Sequence, residues 1–384
     1  MSDANRLNRR TKATGLIDAH SHGGHGISAG GLPAQFPRRI NKRCYHADPA
    51  AGRVLVGAIL VTGGAGYIGS HVVRQLGERR ELLHILDNLT TGFRSAVLHG
   101  EFVLGDTADP QLVSELLESR RIESVLHFAA HIVVPESVAA PLKYYRNNTG
   151  GTRNLLECCV RAGVKHFIFS STAAVYGIPA GGVASEETPT APINPYGRSK
   201  LMSEWMLRDT AAAHPLRYVA LRYFNVAGAD PGGRIGQSTP EATHLIKTAC
   251  EHVVGKRDFV SIFGTDYDTP DGTGVRDYIH VEDLANAHLK ALDYLRGAGE
   301  STTLNCGYGR GYSVREVLDM VARIAGRPLT IREVARRAGD PPQLIALADR
   351  IRDTLGWQPR YEDLEAIVTS ALSWERRLAE LPMA

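Results

Sequence analysis

Cysteine is scarce in this sequence. Five cysteines (Cys44, Cys158, Cys159, Cys250 and Cys306) are spread over 384 residues, with no C-x-x-C pair among them. An odd count without paired spacing argues against a disulfide framework or a cysteine zinc site, and it fits a reduced, cytoplasmic setting. Long apolar runs are missing too: none approaches the roughly 20 residues that a membrane-spanning helix needs. The start, MSDANRLNRR, leads into polar sequence without the apolar stretch of a secretory signal. Charge of one sign is not in excess, since 44 Lys and Arg face 41 Asp and Glu for a formal net charge of +3. That removes the electrostatic case for a nucleic-acid or membrane partner. No internal repeat is evident. What is left, 43% apolar and 22% charged residues, is an ordinary globular composition with length for one large or two modest domains.

Residues 1–52 stand apart. They are rich in Gly, Ala, Arg and His, lack sustained periodicity and contain DAHSHGGHGISAGG. His20, His22 and His25 invite a metal reading. One cluster in a Gly-rich segment with no supporting ligands nearby is better read as a solvated, poorly ordered leader. From Arg53 the pattern changes. RVLVGAILVT, ELLHILDN, FVLGD, SVLHFAA, HFIFSSTAAVYG and YVALRYFNVAG read as strands, separated by helical stretches such as DPQLVSELLES and GTRNLLECCVRAG. Alternation at these lengths implies βαβ units and a doubly wound parallel sheet. After Asn225 the rhythm loosens into loops, a helix around 244–254, short strands (SIFG, TLNCG) and terminal helices. The expected organisation is therefore a Rossmann-type α/β domain over 53–224 and a smaller mixed α/β domain over 225–384, with the chain crossing between them.

The sharpest local signal is ILVTGGAGYIGSH. Gly63, Gly66 and Gly69 follow a strand and open a helix. The first glycine allows a sharp turn, the second lets backbone N–H groups approach a pyrophosphate, and the third lets helix and strand pack closely. Asp87 falls at the end of the next strand, 24 residues beyond Gly63. A carboxylate there accepts from ribose hydroxyls and repels a 2′-phosphate, so the expected cofactor is NAD rather than NADP.

A second signal is NPYGRSKLMSEWML. Tyr196 and Lys200 stand four residues apart, on one face of a helix. A free phenol is a poor base at neutral pH, with a pKa of roughly 10. A neighbouring ammonium and a positive nicotinamide ring are expected to lower it. SSTAAVYG, upstream at a strand end, offers Thr172 as a hydroxyl for the same reacting oxygen.

With these motifs in place the chain resembles the extended short-chain dehydrogenase/reductase family and, within it, the UDP-glucose 4-epimerases. The similar segments run from about Arg53 nearly to the C-terminus: VTGGAGYIGSH, LDNLTTG, PLKYYRNN, FIFSSTAAVYG, NPYGRSKLMSE, LRYFNVAGAD, DGTGVRDYIHVEDLA and RRAGDPP. The resemblance implies that Gly63, Gly66, Tyr67, Ile68 and Gly69 hold the NAD pyrophosphate and that Asp87 and Asn88 contact the adenosine ribose. It places Asp106 beside the adenine, and Phe128, Ala129, Ala130, Asn147 and Tyr223 along the cofactor groove. Tyr196 and Thr172 become the catalytic hydroxyls, and Lys200 the partner of the nicotinamide ribose. On the UDP-sugar side it implies Asn225, His244, Leu245, Arg276, Arg337 and Asp340, with Phe263 against the uracil. Two arginines independently suit a diphosphate. The implied reaction is transient oxidation at sugar C4, turnover of the 4-keto sugar and return of hydride to its other face. A homodimer built through helices of the first domain is implied as well.

This chain departs from some relatives at Ile132, where a lysine can stand, at His244, where an asparagine can, and at Leu344, where a bulky aromatic can. Ala173 and Ala174 follow Thr172, whereas 4,6-dehydratases need an acidic pair there. Epimerases of UDP-N-acetylhexosamine, UDP-glucuronate or UDP-pentose share the same core residues and stay open. A non-catalytic NAD sensor would be expected to have lost the Tyr/Lys pair. A metal-dependent hydrolase, suggested by DAHSH, leaves everything after residue 52 unexplained.

Overall fold

A computed structural model describes residues 57–380 apart from 241 and 338. The leader, with His20, His22, His25 and Cys44, lies outside the described residues. Seven parallel strands form the main sheet: β1 (Ala58–Thr62), β2 (Leu83–Asp87), β3 (Glu101–Leu104), β4 (Ile122–His127), β5 (His166–Ser170), β7 (Arg217–Tyr223) and β11 (Thr302–Cys306). Their order across the sheet is β11-β7-β5-β4-β1-β2-β3. The order reverses between β1 and β4, and the crevice outside the carboxyl ends of strands at such a point is where open α/β sheets bind ligands.

Alternation of side chains accounts for the layers. Every residue of β1 is buried. Ile59 and Val61 join one core, with Val72, Val73 and Leu76 of α1 (Tyr67–Glu78) and Leu284, Ala287 and Leu295 of α8 (Val281–Arg296). Ala58 and Leu60 join the other, with residues of α2 (Pro110–Ser119), α5 (Gly151–Ala162) and α6 (Pro195–Ala213). Strands buried on both faces are what a parallel sheet covered by helices requires. Each fully buried Leu or Ile contributes roughly 1.5–3 kcal/mol.

TLNCG is a strand whose position along the chain misleads. It comes after residue 225, yet as β11 it pairs in parallel with β7 along its whole length and completes the main sheet. The chain leaves the sheet after β7 and comes back to it after α8, a long excursion that local periodicity does not encode.

The remaining strands build a smaller lobe. β8 (Asn225–Ala227) and β14 (Gln343–Ala346) both pair in parallel with β10 (Val275–His280), β12 (Gly311–Ser313) pairs with it antiparallel, and β6 (Val183–Ala184) joins β14. β9 (Val260–Phe263) and β13 (Ile331–Val334) form a separate ribbon. A third core lies among α7 (Leu245–Val253), α9 (Val314–Ala325) and α11 (Leu364–Glu380). Short helices α3 (Val134–Ala139) and α4 (Pro141–Tyr144) lead into a wide turn over 145–150, and α10 (Asp349–Leu355) precedes the last helix. Cys158, Cys159, Cys250 and Cys306 are all free and buried. Among the described residues no helix is long and apolar enough to cross a membrane.

Candidate active site

The loops after β1 and β4 touch at the point of reversal. Gly63 has φ of 71°, a left-handed conformation that side chains resist. A Cβ on it would stand 2.5 Å from the Ala129 nitrogen. Gly69 lies in the first turn of α1, and a Cβ there would come within 2.3 Å of the Gly63 carbonyl oxygen. Gly66 differs: within 4 Å a Cβ would meet only that oxygen, at 3.2 Å, so its outer side is open.

The N-terminus of α1 carries no side-chain cap and no acidic residue in its first turn. By contrast Asp109 caps α2, Asn194 caps α6 and Ser313 caps α9. An uncapped helix N-terminus behind an open glycine suits an anionic group, so the loop fits the pyrophosphate of a dinucleotide. The Tyr67 hydroxyl donates to the Gly228 carbonyl oxygen at 2.6 Å, tying this loop to the smaller lobe, and Ile68 packs on the core beneath.

Asp87 ends β2 and is buried. Its carboxylate accepts from the Ala65 nitrogen at 2.9 Å and the Leu89 nitrogen at 2.8 Å, one bond to each oxygen. Each oxygen keeps capacity for a further donor. The Asn88 side chain donates to Asp106 at 2.8 Å, so these two predicted residues sit together beside Asp87. Phe128, Ala129 and Ala130 are partly exposed along the loop after β4, and the Phe128 ring lies 4.7 Å from that of buried His288. Asn147 belongs to the wide turn and donates to Asn148 at 3.0 Å. Asn148 braces the region, accepting from the His131 nitrogen at 2.8 Å and donating to the Ser199 hydroxyl at 3.0 Å. Wide turns of this kind inside helices often sit at functional sites.

The catalytic candidates converge at the carboxyl end of β5. Asn194 caps α6 by accepting from the Gly197 nitrogen at 2.9 Å, and Pro195 occupies the first helical position. Both features start a helix sharply, which fixes Tyr196 in its first turn and Lys200 one turn later. Thr172 begins the short turn over 173–175. Tyr196 and Thr172 are each 7% exposed and Lys200 3%. The Lys200 ammonium donates to the Ser170 carbonyl oxygen at 2.8 Å and lies 4.9 Å from the Phe169 ring. Tyr223 is also here, its hydroxyl 2.5 Å from that of Ser170.

Burial pushes the Tyr196 phenol up, and only the Thr172 hydroxyl pulls it the other way. The expected lowering by Lys200 does not appear. Burial also pulls the Lys200 ammonium down to about 7, against the favourable charge of Glu204. At Tyr196 desolvation is the larger influence.

In the smaller lobe the predicted residues form two groups joined by β10. Asn225, His244 and Leu245 line a pocket with Gln237 and Tyr278. It faces the start of α7, another helix with neither side-chain cap nor acidic first turn. Gln237 and the His244 ring are hydrogen-bonded at 3.0 Å. The second group surrounds Tyr267. The Arg337 guanidinium lies 3.6 Å from the centre of the Phe263 ring, and burial lowers its pKa while Asp340 raises it. Arg276 donates to the Val275 carbonyl oxygen at 2.9 Å. Asp340 and Arg276 both act on the Tyr267 phenol, on which burial is the largest influence.

Sequence reasoning missed Ser170, Ser171, Glu204 and Arg222. The only trace of them was the serine-rich strand end and the charge that follows Lys200 at helical spacing. Among the described residues no group of His, Cys, Asp and Glu is placed to hold a metal.

Residues 59–307 match the NAD dependent epimerase/dehydratase family. The UDP-glucose 4-epimerase of Azospirillum brasilense is 56% identical over 323 residues, covering 84% of this chain and 93% of its own length. The UDP-glucose 4-epimerase from Brucella ovis, solved in complex with NAD, is 46% identical with a TM-score of 0.80, over 83% of this chain and 98% of that one. The UDP-Glc/GlcNAc 4-epimerase from Campylobacter jejuni is 50% identical with a TM-score of 0.74, over 84% of this chain and all of that one (100%). A match that runs from β1 past the end of β11, at this identity and on the same fold, makes the chain a member of the NAD dependent epimerase/dehydratase family.

Proposed function

We propose that this protein is an NAD-dependent UDP-glucose 4-epimerase, which interconverts UDP-glucose and UDP-galactose. The observation that carries the reading is the buried convergence of Thr172, Tyr196 and Lys200 beside an open, uncapped glycine loop. Alanines occupy 173 and 174, where a dehydratase would need acids.

Bound NAD supplies the hydride acceptor, and afterwards the hydride donor, at sugar C4. Gly63, Gly66, Tyr67, Ile68 and Gly69 hold its pyrophosphate, Asp87, Asn88 and Asp106 its adenosine, and Phe128, Ala129, Ala130, Asn147 and Tyr223 line its groove. Tyr196 takes the proton from the 4-hydroxyl and later gives it back, while Thr172 hydrogen-bonds the same oxygen. Lys200 bonds the nicotinamide ribose. Burial raises the Tyr196 phenol further, and the positive charge that oxidised cofactor would bring favours its phenolate. Arg276 and Arg337 engage the diphosphate, Phe263 the uracil, and Asn225, His244, Leu245 and Asp340 complete the UDP site. The uncapped start of α7 adds a field favourable to an anion. Anchoring UDP while the 4-keto sugar turns is what allows both faces of C4 to meet one cofactor.

The reading extends to a cytoplasmic homodimer in carbohydrate metabolism, assembled through helices of the first domain and checked by sedimentation. The activity is tested by giving the purified protein each UDP-sugar without added NAD; a holoenzyme inert on both hexoses contradicts it. Leu344, buried and paired with Arg276 in the sheet, stands where some relatives carry an aromatic. UDP-N-acetylhexosamines therefore belong in the same panel.

A further inference from the structure

Ser171 lies between two residues that the chemistry uses. Ser170, before it, takes the Lys200 ammonium; Thr172 follows it. Fully buried, Ser171 donates its hydroxyl to Oε1 of Glu204 at 2.5 Å. Glu204 stands one turn beyond Lys200 on α6. Arg222 of β7 clamps the same carboxylate, with Nε at 3.0 and 3.2 Å from its two oxygens and Nη2 at 2.6 Å. The remaining guanidinium nitrogen donates to the Tyr176 hydroxyl at 3.0 Å, and that hydroxyl donates to Asn305 of β11 at 2.6 Å. Glu204 is 6% exposed and Arg222 8%. One chain of bonds thus joins the catalytic helix, the end of β5, β7 and β11.

We propose that Glu204 is a positioning residue for the reaction: it fixes α6 against the Ser170–Thr172 strand end and supplies the negative charge facing the Lys200 ammonium. This rests on the roles given above to Tyr196, Lys200 and Thr172. The groups around Lys200 come from several elements. β5 presents the Ser170 carbonyl and the Phe169 ring. β4 presents His127, which burial and the Lys200 charge hold down to about 3, and so neutral. α6 itself carries Tyr196 and Glu204, and Glu204 is the carboxylate that favours the ammonium against desolvation. Glu204 in turn faces Arg222, Ser171, Tyr176 and Tyr218. A buried pair of this kind is a weak source of net stability, so stability alone does not account for it.

Glu204→Gln keeps the size and removes the charge, and it leaves Arg222 as an uncompensated cation. NAD-loaded Glu204→Gln is expected to lose about tenfold or more in kcat, with KM for UDP-galactose nearly unchanged. Its alkaline limb should move about one pH unit lower, because Lys200 then loses its proton earlier. NMR titration of protein labelled at the lysine ε-carbon, with the Lys200 signal assigned through Lys200→Arg, should show the same downward shift without reference to activity.

The double variant Glu204→Gln/Arg222→Met removes the stranded cation. It should regain melting temperature while keeping the low kcat and the shifted Lys200 titration, and it serves as the test if the single variant does not fold. Wild-type kcat and titration in the folded single variant would overturn the proposal. So would recovery of kcat, titration and melting temperature together in the double variant. A wild-type protein that does not invert C4 would instead overturn the epimerase reading, with the Lys200 titration still reporting on Glu204.

Discussion

At the carboxyl edge of the main sheet, the residues proposed for chemistry are buried and held by backbone. Lys200 bonds the Ser170 carbonyl, Asp87 accepts from two main-chain nitrogens, and Gly63 and Gly69 sit where a Cβ would collide with main-chain atoms. In the smaller lobe, the residues proposed for UDP are long side chains on partly exposed ground. Arg337 is held over the Phe263 ring, and His244 reaches Gln237. The contrast matches two jobs. Hydride and proton transfer need atoms fixed to a fraction of an ångström, and that precision comes from buried backbone geometry. Gripping a diphosphate needs charge and reach, which long cationic side chains provide.

Substitutions should separate the two regions. At the sheet edge, Tyr196→Phe removes the proposed base together with its hydrogen bond to Thr172. It should cut kcat by about 10²–10⁴-fold while leaving melting temperature and NAD content in place; turnover near wild type would remove Tyr196 from the mechanism.

Acid comes next, and it acts on both regions, since burial also holds His280 of β10 down to about 4. Burial holds His127 down to about 3 and His288 down to about 4, both from 6.5. These folded values lie below the unfolded one, so their contribution is full above about pH 6.5 and is lost as pH falls toward 4. The loss is on the order of 3 kcal/mol for each histidine, and urea midpoints across that window would measure it. His288→Gln should flatten the slope.

In the smaller lobe, Arg337→Ala should weaken UDP-sugar binding by about 1.5–3 kcal/mol, the worth of a charge-assisted hydrogen bond. That corresponds to a KM raised about tenfold or more, with kcat little changed. A fall in kcat at constant KM would erase the division of labour. The smallest effect is expected from Asn194→Ala, which removes the cap of α6 and should cost about 1 kcal/mol of stability. Because that cap starts the helix bearing Tyr196, a modest loss of kcat should accompany it.

Much of the sheet edge was legible in the sequence, because its rules are local. Glycines at 63, 66 and 69 after an apolar run, Asp87 at the next strand end, and Tyr196 with Lys200 at helical spacing each declare a geometry within a few residues. The Glu204–Arg222 clamp was not legible, since its partners come from different elements that only the folded sheet brings together. The place of β11 was not legible for the same reason: its partner β7 lies across a long excursion through β8, α7, β9, β10 and α8. The push of burial on the Tyr196 phenol was not legible either, because local sequence does not reveal which groups are desolvated. In the smaller lobe the residues were found through resemblance, because an arginine in a loop declares no partner until Phe263 lies beneath it.

The central claim is that one cofactor removes hydride from C4 and returns it within the same closed cycle. UDP-galactose carrying deuterium at C4, incubated with the purified protein and no added NAD, tests this directly. The account predicts UDP-glucose with the deuterium still on C4, read by NMR. Product with solvent hydrogen at C4, or no product from NAD-loaded protein, would contradict it.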